Sequence, residues 1–445
     1  MADGGEWIPF QVTSLIYAAL FLNFFLVGSI VPLIPRMVES HGLVTSDTSI
    51  ILSTKSFVHM AVSPVMAYLS SRVHPEVVFC FGVFCISGAF IGLAISSVLA
   101  GFVVARVVQG IGVASVMVSG MSILIKVTPV DKRGKYTSAA YSALGHSTLV
   151  SPLLSAVMYD YLGQLWTFLI PGIATFVSGV VSVVVFSRIQ RRLDHRTPVT
   201  RLSLNQIWTP LKAILAYPIT PLALIGIFLA GVSFGCFEVS VPTLLAKTGL
   251  SVIKTNLLWS VGPLCWTITV PIVGWLIDKR GPIGFFVFGL FLYALCYPLF
   301  HLMVDTLWGL GIIIALIFVI DAVLELTVYP IIAVIVDSRK AAIILPFAYS
   351  LNEVCIQAGF AVGDLIGVPL DLWGGLKAIG SVMGGMDGVF GIISLFLWRH
   401  SLSSSNVHVQ ELIGASDVRE TVAISNQEPA AEKIGYSVMP AEASN

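Results

Sequence analysis

Residues 318–353 read FVIDAVLELTVYPIIAVIVDSRKAAIILPFAYSLNE. The first half of this stretch is apolar and long enough to be embedded in a membrane. It nevertheless carries Asp321 and Glu325 one helical turn apart, so both carboxyl groups fall on one face of one helix. A charged side chain near the middle of a spanning helix costs roughly 2.5 to 3.5 kcal/mol even on the lenient insertion scales. Two such groups on one face are expected to look into a cavity or onto a partner helix rather than into lipid. The chain should therefore be a set of spanning helices packed around a polar interior.

Composition agrees. Of the 445 residues, 56% are hydrophobic and 11% charged, against about a quarter charged in soluble proteins. The formal net charge of zero argues against nucleic acid or an acidic polymer as partner. Cys80, Cys85, Cys236, Cys265, Cys296 and Cys355 stand singly inside apolar runs, with no metal-site spacing, and read as small core residues. The opening MADGGEWIPFQVTS has no basic n-region, and the apolar run behind it is too long for a cleavable signal peptide. That run is expected to stay as the first span. No Asn-x-Ser/Thr acceptor sequence occurs.

A spanning helix needs about 20 mostly apolar residues. Segments of that kind fall near 14–35, 49–70, 77–97, 100–126, 137–159, 167–188, 220–246, 255–277, 283–303, 306–334, 342–370 and 376–398, which predicts an all-α membrane protein with twelve transmembrane helices. Lys126, Lys132, Arg133, Lys135, Arg188, Arg191, Arg192, Arg196, Arg201, Lys212, Lys279, Arg280, Arg339, Lys340 and Arg399 all fall on one side. Arg36, Lys247, Lys254 and Lys377 are the chief cations of the other. Because positive loops stay cytoplasmic, both termini are expected to be cytoplasmic.

The longest internal break, Arg188 to Ile219, is polar and basic and holds Pro198, Pro210 and Pro218. It divides the chain into a cytoplasmic N-terminus at 1–13, a first six-helix bundle at 14–188, a linker at 189–219, a second bundle at 220–398 and a disordered cytoplasmic tail at 399–445. The two bundles read as repeats. SIVPLIPRMVESHGL near the end of span 1 parallels VSVPTLLAKTGL near the end of span 7, and AYLSSRVHP after span 2 parallels GWLIDKRGP after span 8. Repeated halves place a transporter's site at their interface, near the bilayer midplane.

The ionisable residues read as intramembrane are Lys55, Arg106, Glu238, Asp321, Glu325 and Glu353, two cations against four acids. Some of these charges can simply pair and lock helices together. A desolvated carboxyl group without a cationic partner can instead titrate near neutral pH, and the surplus of two acids fits proton coupling. In span 4, Gly110, Gly112, Ala114 and Ser115 should let another helix approach closely. Pro32, Pro35, Pro152 and Pro242 could bend their helices.

The loop GWLIDKRG at 274–281 and RVVQG at 106–110 resemble signatures of the major facilitator superfamily. In order and spacing, VPLIP (31–35), STKSFVHMAVSP (53–64), ARVVQGIG (105–112), FGCFEVSVP (234–242), LELTVYPIIAVIVDSR (324–339) and YSLNEV (349–354) resemble its drug:proton antiporters, most closely the vesicular amine transporter group. The resemblance implies two six-helix bundles, a Lys55–Glu353 pair, an interaction of Arg106 with Glu238, and a proton-coupling role for Glu325. It marks Asp278 and Arg280 as a charge-pair or gating element. It assigns nothing to Asp321.

Departures stand beside the matches. Asn23 occupies the position where the amine transporters keep an aspartate that contacts the substrate's ammonium, and an amide supplies no counter-charge. The loop MVESHGLVTSDTS is short, Ser71 replaces an acidic residue after span 2, and Ser151 replaces glycine before Pro152.

The expectation is a proton-coupled antiporter that exports a small amphipathic organic compound by alternating access. It would act as a monomer in a plasma or vesicle membrane, with protons and one small organic substrate as partners and no cofactor. Proton coupling is assigned to Glu325, Glu238, Glu353 and Asp321, and the charge balance to Lys55 and Arg106. Asn23, Phe234, Phe237 and Tyr329 are candidates for the substrate, with Phe24, Phe25 and Phe57 as further aromatics that could line a cavity. Loading of an amine into an acidic compartment, passive uniport, and ligand sensing without transport are the alternatives. An enzyme is not expected, since no metal cluster, Ser/His/Asp arrangement or phosphate loop is evident. His59 and His146 read as packing residues or minor polar contacts.

Overall fold

The structure is a computed structural model that describes residues 4–128, 133–192, 204–217, 219–338 and 345–402. Within them the elements are helices: α1 (Gly4–Ser40), α2 (Thr45–Arg72), α3 (Pro75–Ile95), α4 (Leu99–Val127), α5 (Arg133–Arg192), α6 (Leu204–Leu215), α7 (Ile219–Lys247), α8 (Val252–Arg280), α9 (Pro282–Cys296), α10 (Phe300–Met303), α11 (Leu307–Ser338) and α12 (Leu345–Leu402). In lipid, every backbone polar group needs an internal partner, which apolar runs of this length achieve as helices.

Among the described residues ten runs are long and apolar enough to cross a membrane. Two of them, Ser142–Ile189 and Ser350–Leu397, have 48 residues each, about twice the length of one crossing. Gly163 (φ 73°, ψ 177°) breaks the first, and Gly374 (φ −157°, ψ 17°) with Gly375 (φ 67°, ψ −167°) breaks the second. Positive φ is open to glycine without the steric penalty of a Cβ. The breaks fall between the predicted fifth and sixth spans and between the eleventh and twelfth, and each run is long enough for two crossings. Pro32, Pro35, Pro152 and Pro242 all lie inside continuous helices, so the breaks are made by glycine and not by proline.

The duplication read in the sequence is visible in the backbone. Gly42 (φ 68°) and Gly249 (φ 74°), the glycines of the matched SHGL and KTGL, take the same left-handed conformation just after α1 and α7. At the first, Leu43 N donates to Val38 O at 3.0 Å and Gly42 N to Glu39 O at 3.1 Å, a helix-closing pair. Packing repeats as well. In the first half α1 packs on α5, α2 on α4, and α3 on α4 and α5; in the second α7 packs on α12, α8 on α11, and α9 on α11 and α12. The halves meet where α2 packs on α12, α5 on α8 and α1 on α7.

Close packing depends on glycine where backbones touch. A Cβ at Gly110 would come within 2.8 Å of Lys55 O, and one at Gly112 within 2.9 Å of Gly82 O, so the expected small-residue surface of α4 is used against both α2 and α3. A longer stripe joins α7 to α12. There Gly231 and Gly235 face Gly359, Gly363 and Gly367, with a Cβ at Gly235 falling 2.8 Å from Phe360 O. Cys236 Sγ donates to Gly363 O at 3.3 Å and Ser240 Oγ to Gly367 O at 3.4 Å across the same seam.

Helices extend into two of the segments outside the predicted spans. Helix α1 begins at Gly4, so most of the segment read as an N-terminal extension is helical. The linker contains α6, whose 12 residues place the Lys212 ammonium 5.3 Å from the Trp208 ring centroid, a contact within one amphipathic helix. Residues 193–203 and 218 lie outside the described residues, as does the predicted tail beyond Leu402, where α12 ends.

Candidate functional site

The Arg106 side chain leaves α4 and reaches α2. Its Nε donates to Ile51 O at 3.0 Å, one terminal nitrogen to Leu52 O at 3.2 Å, and the other to Gln109 Oε1 at 2.5 Å. Two of these bonds tie α4 to α2 and the third stays within α4, and the residue is 3% exposed. Lys55, 8% exposed, lies one turn before His59 on α2, and Arg106, Glu238, Asp364 and Glu353 surround it electrostatically.

The second half supplies the acids. Glu238 on α7 and Asp364 on α12 both lie within interaction range of Lys55 and Arg106. Glu353 on α12 accepts a hydrogen bond from the Tyr329 hydroxyl and stands 3.9 Å from His59 Nε2. Among the described residues, the charged groups that act on Glu325 are both acids, Asp321 and Glu353. Asp321 accepts a 3.4 Å hydrogen bond from Tyr293 and interacts with Glu238. Three carboxyl groups so arranged repel one another when all are charged, and one bound proton or one cation relieves that repulsion.

Neither family-implied pair forms as a direct contact. Among the described residues Lys377–Asp305 is an ion pair within 4.0 Å, while His59–Glu353 and His74–Glu76 lie within that distance and are ion pairs only when the histidine is protonated. Lys55 instead shares Glu353, Glu238 and Asp364 at longer range, and Arg106 spends its hydrogen bonds on backbone carbonyls and Gln109 rather than on Glu238.

The aromatic candidates separate. Phe237 is fully buried, stacked on Trp259 (centroids 5.7 Å apart) and Phe300 (6.4 Å), and Phe234 packs edge-on against Phe318 at 5.2 Å. Their rings are thus packed against neighbouring aromatics. Phe25 is buried in the main core with Phe24 packed against it, and Phe57 faces outward. Asn23 is 1% exposed, and its amide oxygen and nitrogen both lack a hydrogen-bond partner, as do those of Asn352. Such atoms are unfavourable in a dry interior and mark polar surface suited to water or ligand. Arg280 is exposed in the last turn of α8, and the Asp278 side chain lies outside the described residues.

Sequence reasoning missed three residues. His59, read as a packing residue or minor polar contact, stands beside the charged cluster, 3.9 Å from Glu353 and with neither ring nitrogen hydrogen-bonded; its place one turn after Lys55 was the available signal. Asp364 and Asp387, inside predicted spans, are buried at 2% and 0% exposure. With them the acids inside the predicted spans number six, not four. Among the described residues no group of His, Cys, Asp and Glu has the arrangement of a metal site. The six cysteines are free, three buried and three partly so.

The family profile described as Major Facilitator Superfamily matches residues 16–363. The chain is 24% identical over 369 residues to the synaptic vesicular amine transporter of Mus musculus, covering 79% of this chain and 66% of that protein. It is 24% identical to the chromaffin granule amine transporter of Rattus norvegicus, covering 72% and 59%. Multidrug resistance protein 3 of Bacillus subtilis (strain 168) is 30% identical over 140 residues, 31% of this chain and 26% of that protein. The chain thus spans about two thirds or less of the length of these relatives. In fold it is similar to the crystal structure of peptide transporter POT in complex with sulfate, with a TM-score of 0.68 at 17% identity, covering 88% of this chain and 94% of that one.

Proposed function

The chain belongs to the Major Facilitator Superfamily, is an integral multi-pass membrane protein, and on that premise we propose that it is a proton-coupled antiporter for a small amphipathic organic compound. The observation that carries this reading is the division of the six acids. Glu238, Asp364 and Glu353 have Lys55 or Arg106 in range, whereas Glu325, Asp321 and Asp387 have no cationic neighbour among the described residues. A proton entering the Glu325, Asp321 and Glu353 group lowers its negative charge and weakens its hold on the Lys55 side, favouring the opposite-facing arrangement of the two halves. A cationic or polarised substrate competes for the same charge, which is the logic of exchange.

The substrate would meet Asn23 and Tyr329 at the meeting of the halves, with Lys55 and Arg106 holding the charge balance. Both termini are assigned to the cytoplasm by the positive-loop count. The six-plus-six division at 14–188 and 220–398 is supported by the repeated packing order. Export across the plasma membrane is preferred over amine loading of a vesicle, because Asn23 brings no counter-charge. The relatives' names favour the second setting.

In proteoliposomes with an imposed pH gradient, a panel of aromatic amines and lipophilic dyes should reveal at least one compound accumulated uphill. Glu325→Gln should abolish that accumulation while exchange without a gradient survives. Uphill transport by Glu325→Gln equal to the parent's overturns the assignment. Gradient-independent flux in the parent supports passive uniport, and binding without flux supports a sensor.

A further inference from the structure

The short helix α6, in the connection between the two halves, has unequal sides. Ile214 belongs to the main core and Leu211 is buried, so that side seats α6 on the protein. Trp208, Lys212 and Leu215 follow one another at helical spacing along a second stripe. Trp208 and Lys212 are exposed there, with the Lys212 ammonium 5.3 Å from the Trp208 ring centroid. A helix that keeps one apolar side on the protein and presents a tryptophan beside a lysine suits the boundary between hydrocarbon and water. The ring can lie among lipid headgroups and the ammonium can reach a phosphate.

The third member of that stripe borders a groove. Leu215 of α6, Leu224, Ile225 and Phe228 of α7, and Cys355 and Ala358 of α12 line a space of about 280 Å³, and none of the side chains around it carries an oxygen or nitrogen. A site for a compact polar molecule keeps a few placed polar groups to orient it, whereas a wall without any suits hydrocarbon. Ile225 is 49% exposed. At about 100° per residue it lies about 140° around α7 from Glu238, so the groove opens away from the charged cluster and toward the space that lipid fills. The surrounding charge is complementary to an acid: the segment 188–212 holds Arg188, Arg191, Arg192, Arg196, Arg201 and Lys212 against Asp194 alone. On the orientation proposed above this end is cytoplasmic, the side on which acidic phospholipids concentrate.

We propose that α6, α7 and α12 form a binding site for one acidic phospholipid, with an acyl chain seated in the groove and the headgroup phosphate held by Lys212 beside Trp208. Lys212 and Leu215, three residues apart on one face of α6, join the cation to the groove. A lipid so placed ties the connection between the halves to α7 and α12. The site stands apart from the proton-coupled reading, since none of its residues belongs to the charged cluster.

The probe is phosphatidylglycerol with a photoactivatable diazirine at the end of an acyl chain, a minor component of phosphatidylcholine vesicles that contain the full-length protein. After irradiation and digestion, peptides containing residues 224–228 or 355–358 should carry it. Phosphatidylcholine bearing the same diazirine should mark those peptides about fivefold less, the effect of one lysine on an anionic lipid. Lys212→Gln should bring the two lipids level. Ala358→Trp, which fills the groove, should remove the mark from these peptides and leave marking of the other lipid-facing helices unchanged. Lys212 is exposed, so Lys212→Gln carries the test should Ala358→Trp not fold. Equal marking of the parent by both lipids, whether from a general lipid boundary or from a groove that a lipophilic dye empties, overturns the proposal. So does a preference for phosphatidylglycerol that persists in Lys212→Gln.

Discussion

The Tyr329 hydroxyl donates a 2.5 Å hydrogen bond to Glu353 Oε1, tying α11 to α12 at the edge of the charged cluster. Hydrogen bonds to charged groups contribute about 1.5 to 3 kcal/mol. Tyr329→Phe should therefore lower the initial rate of dye or amine transport about tenfold or more. Thermal stability in detergent should stay near the parent's, because the ring remains. Rates unchanged within twofold would show that this bond does not matter to the cycle.

At the end of the molecule that bears the turns after α1 and α7, Arg36 donates a 2.7 Å hydrogen bond to Leu250 O, linking the two halves. Losing a bond of that kind, about 1.5 kcal/mol or more, corresponds to roughly a tenfold change in an equilibrium. Arg36→Ala should favour the arrangement open at that end. Labelling of a cysteine introduced beside Leu250 by a membrane-impermeant thiol reagent, in a background lacking reactive native cysteines, should become several-fold faster; labelling at the parent's rate would count against a latch.

Asn23 offers a hydrogen-bonding amide where a carboxylate would offer charge. Asn23→Asp should shift competition towards permanently charged amines and away from neutral analogues, measured as the ratio of their half-inhibitory concentrations. A ratio that does not move removes Asn23 from the substrate's path.

A side chain at Gly363 has no room, since its Cβ would meet Cys236 N at 2.9 Å and Gly235 Cα at 3.0 Å, both backbone atoms. Forcing bulk into a close-packed seam costs typically about 1 to 3 kcal/mol, occasionally more. Gly363→Leu should lower the unfolding temperature by several degrees or abolish expression, whereas Gly274→Ala, where a Cβ meets nothing within 4 Å, should be tolerated.

Much of this protein was legible in its sequence because the bilayer imposes a simple rule. Apolar runs of a fixed length must be helices, so twelve spans could be counted, and the breaks at Gly163 and Gly374–Gly375 fall between counted spans. The matched SHGL and KTGL announced a duplication that the backbone repeats at Gly42 and Gly249. The charged residues were conspicuous because each opposes an insertion cost. Which charge meets which was beyond the sequence, since helices far apart in the chain are brought together only by packing. Tertiary structure decided that Arg106 bonds to α2 carbonyls and not to Glu238, and that His59 stands 3.9 Å from Glu353. It also stacked Phe237 on Trp259 and Phe300 and bonded Asp387 to Ser233. Spacing along one helix fixes a shared face, but a partner on another helix depends on which backbones glycine lets close together, as along the seam of α7 and α12.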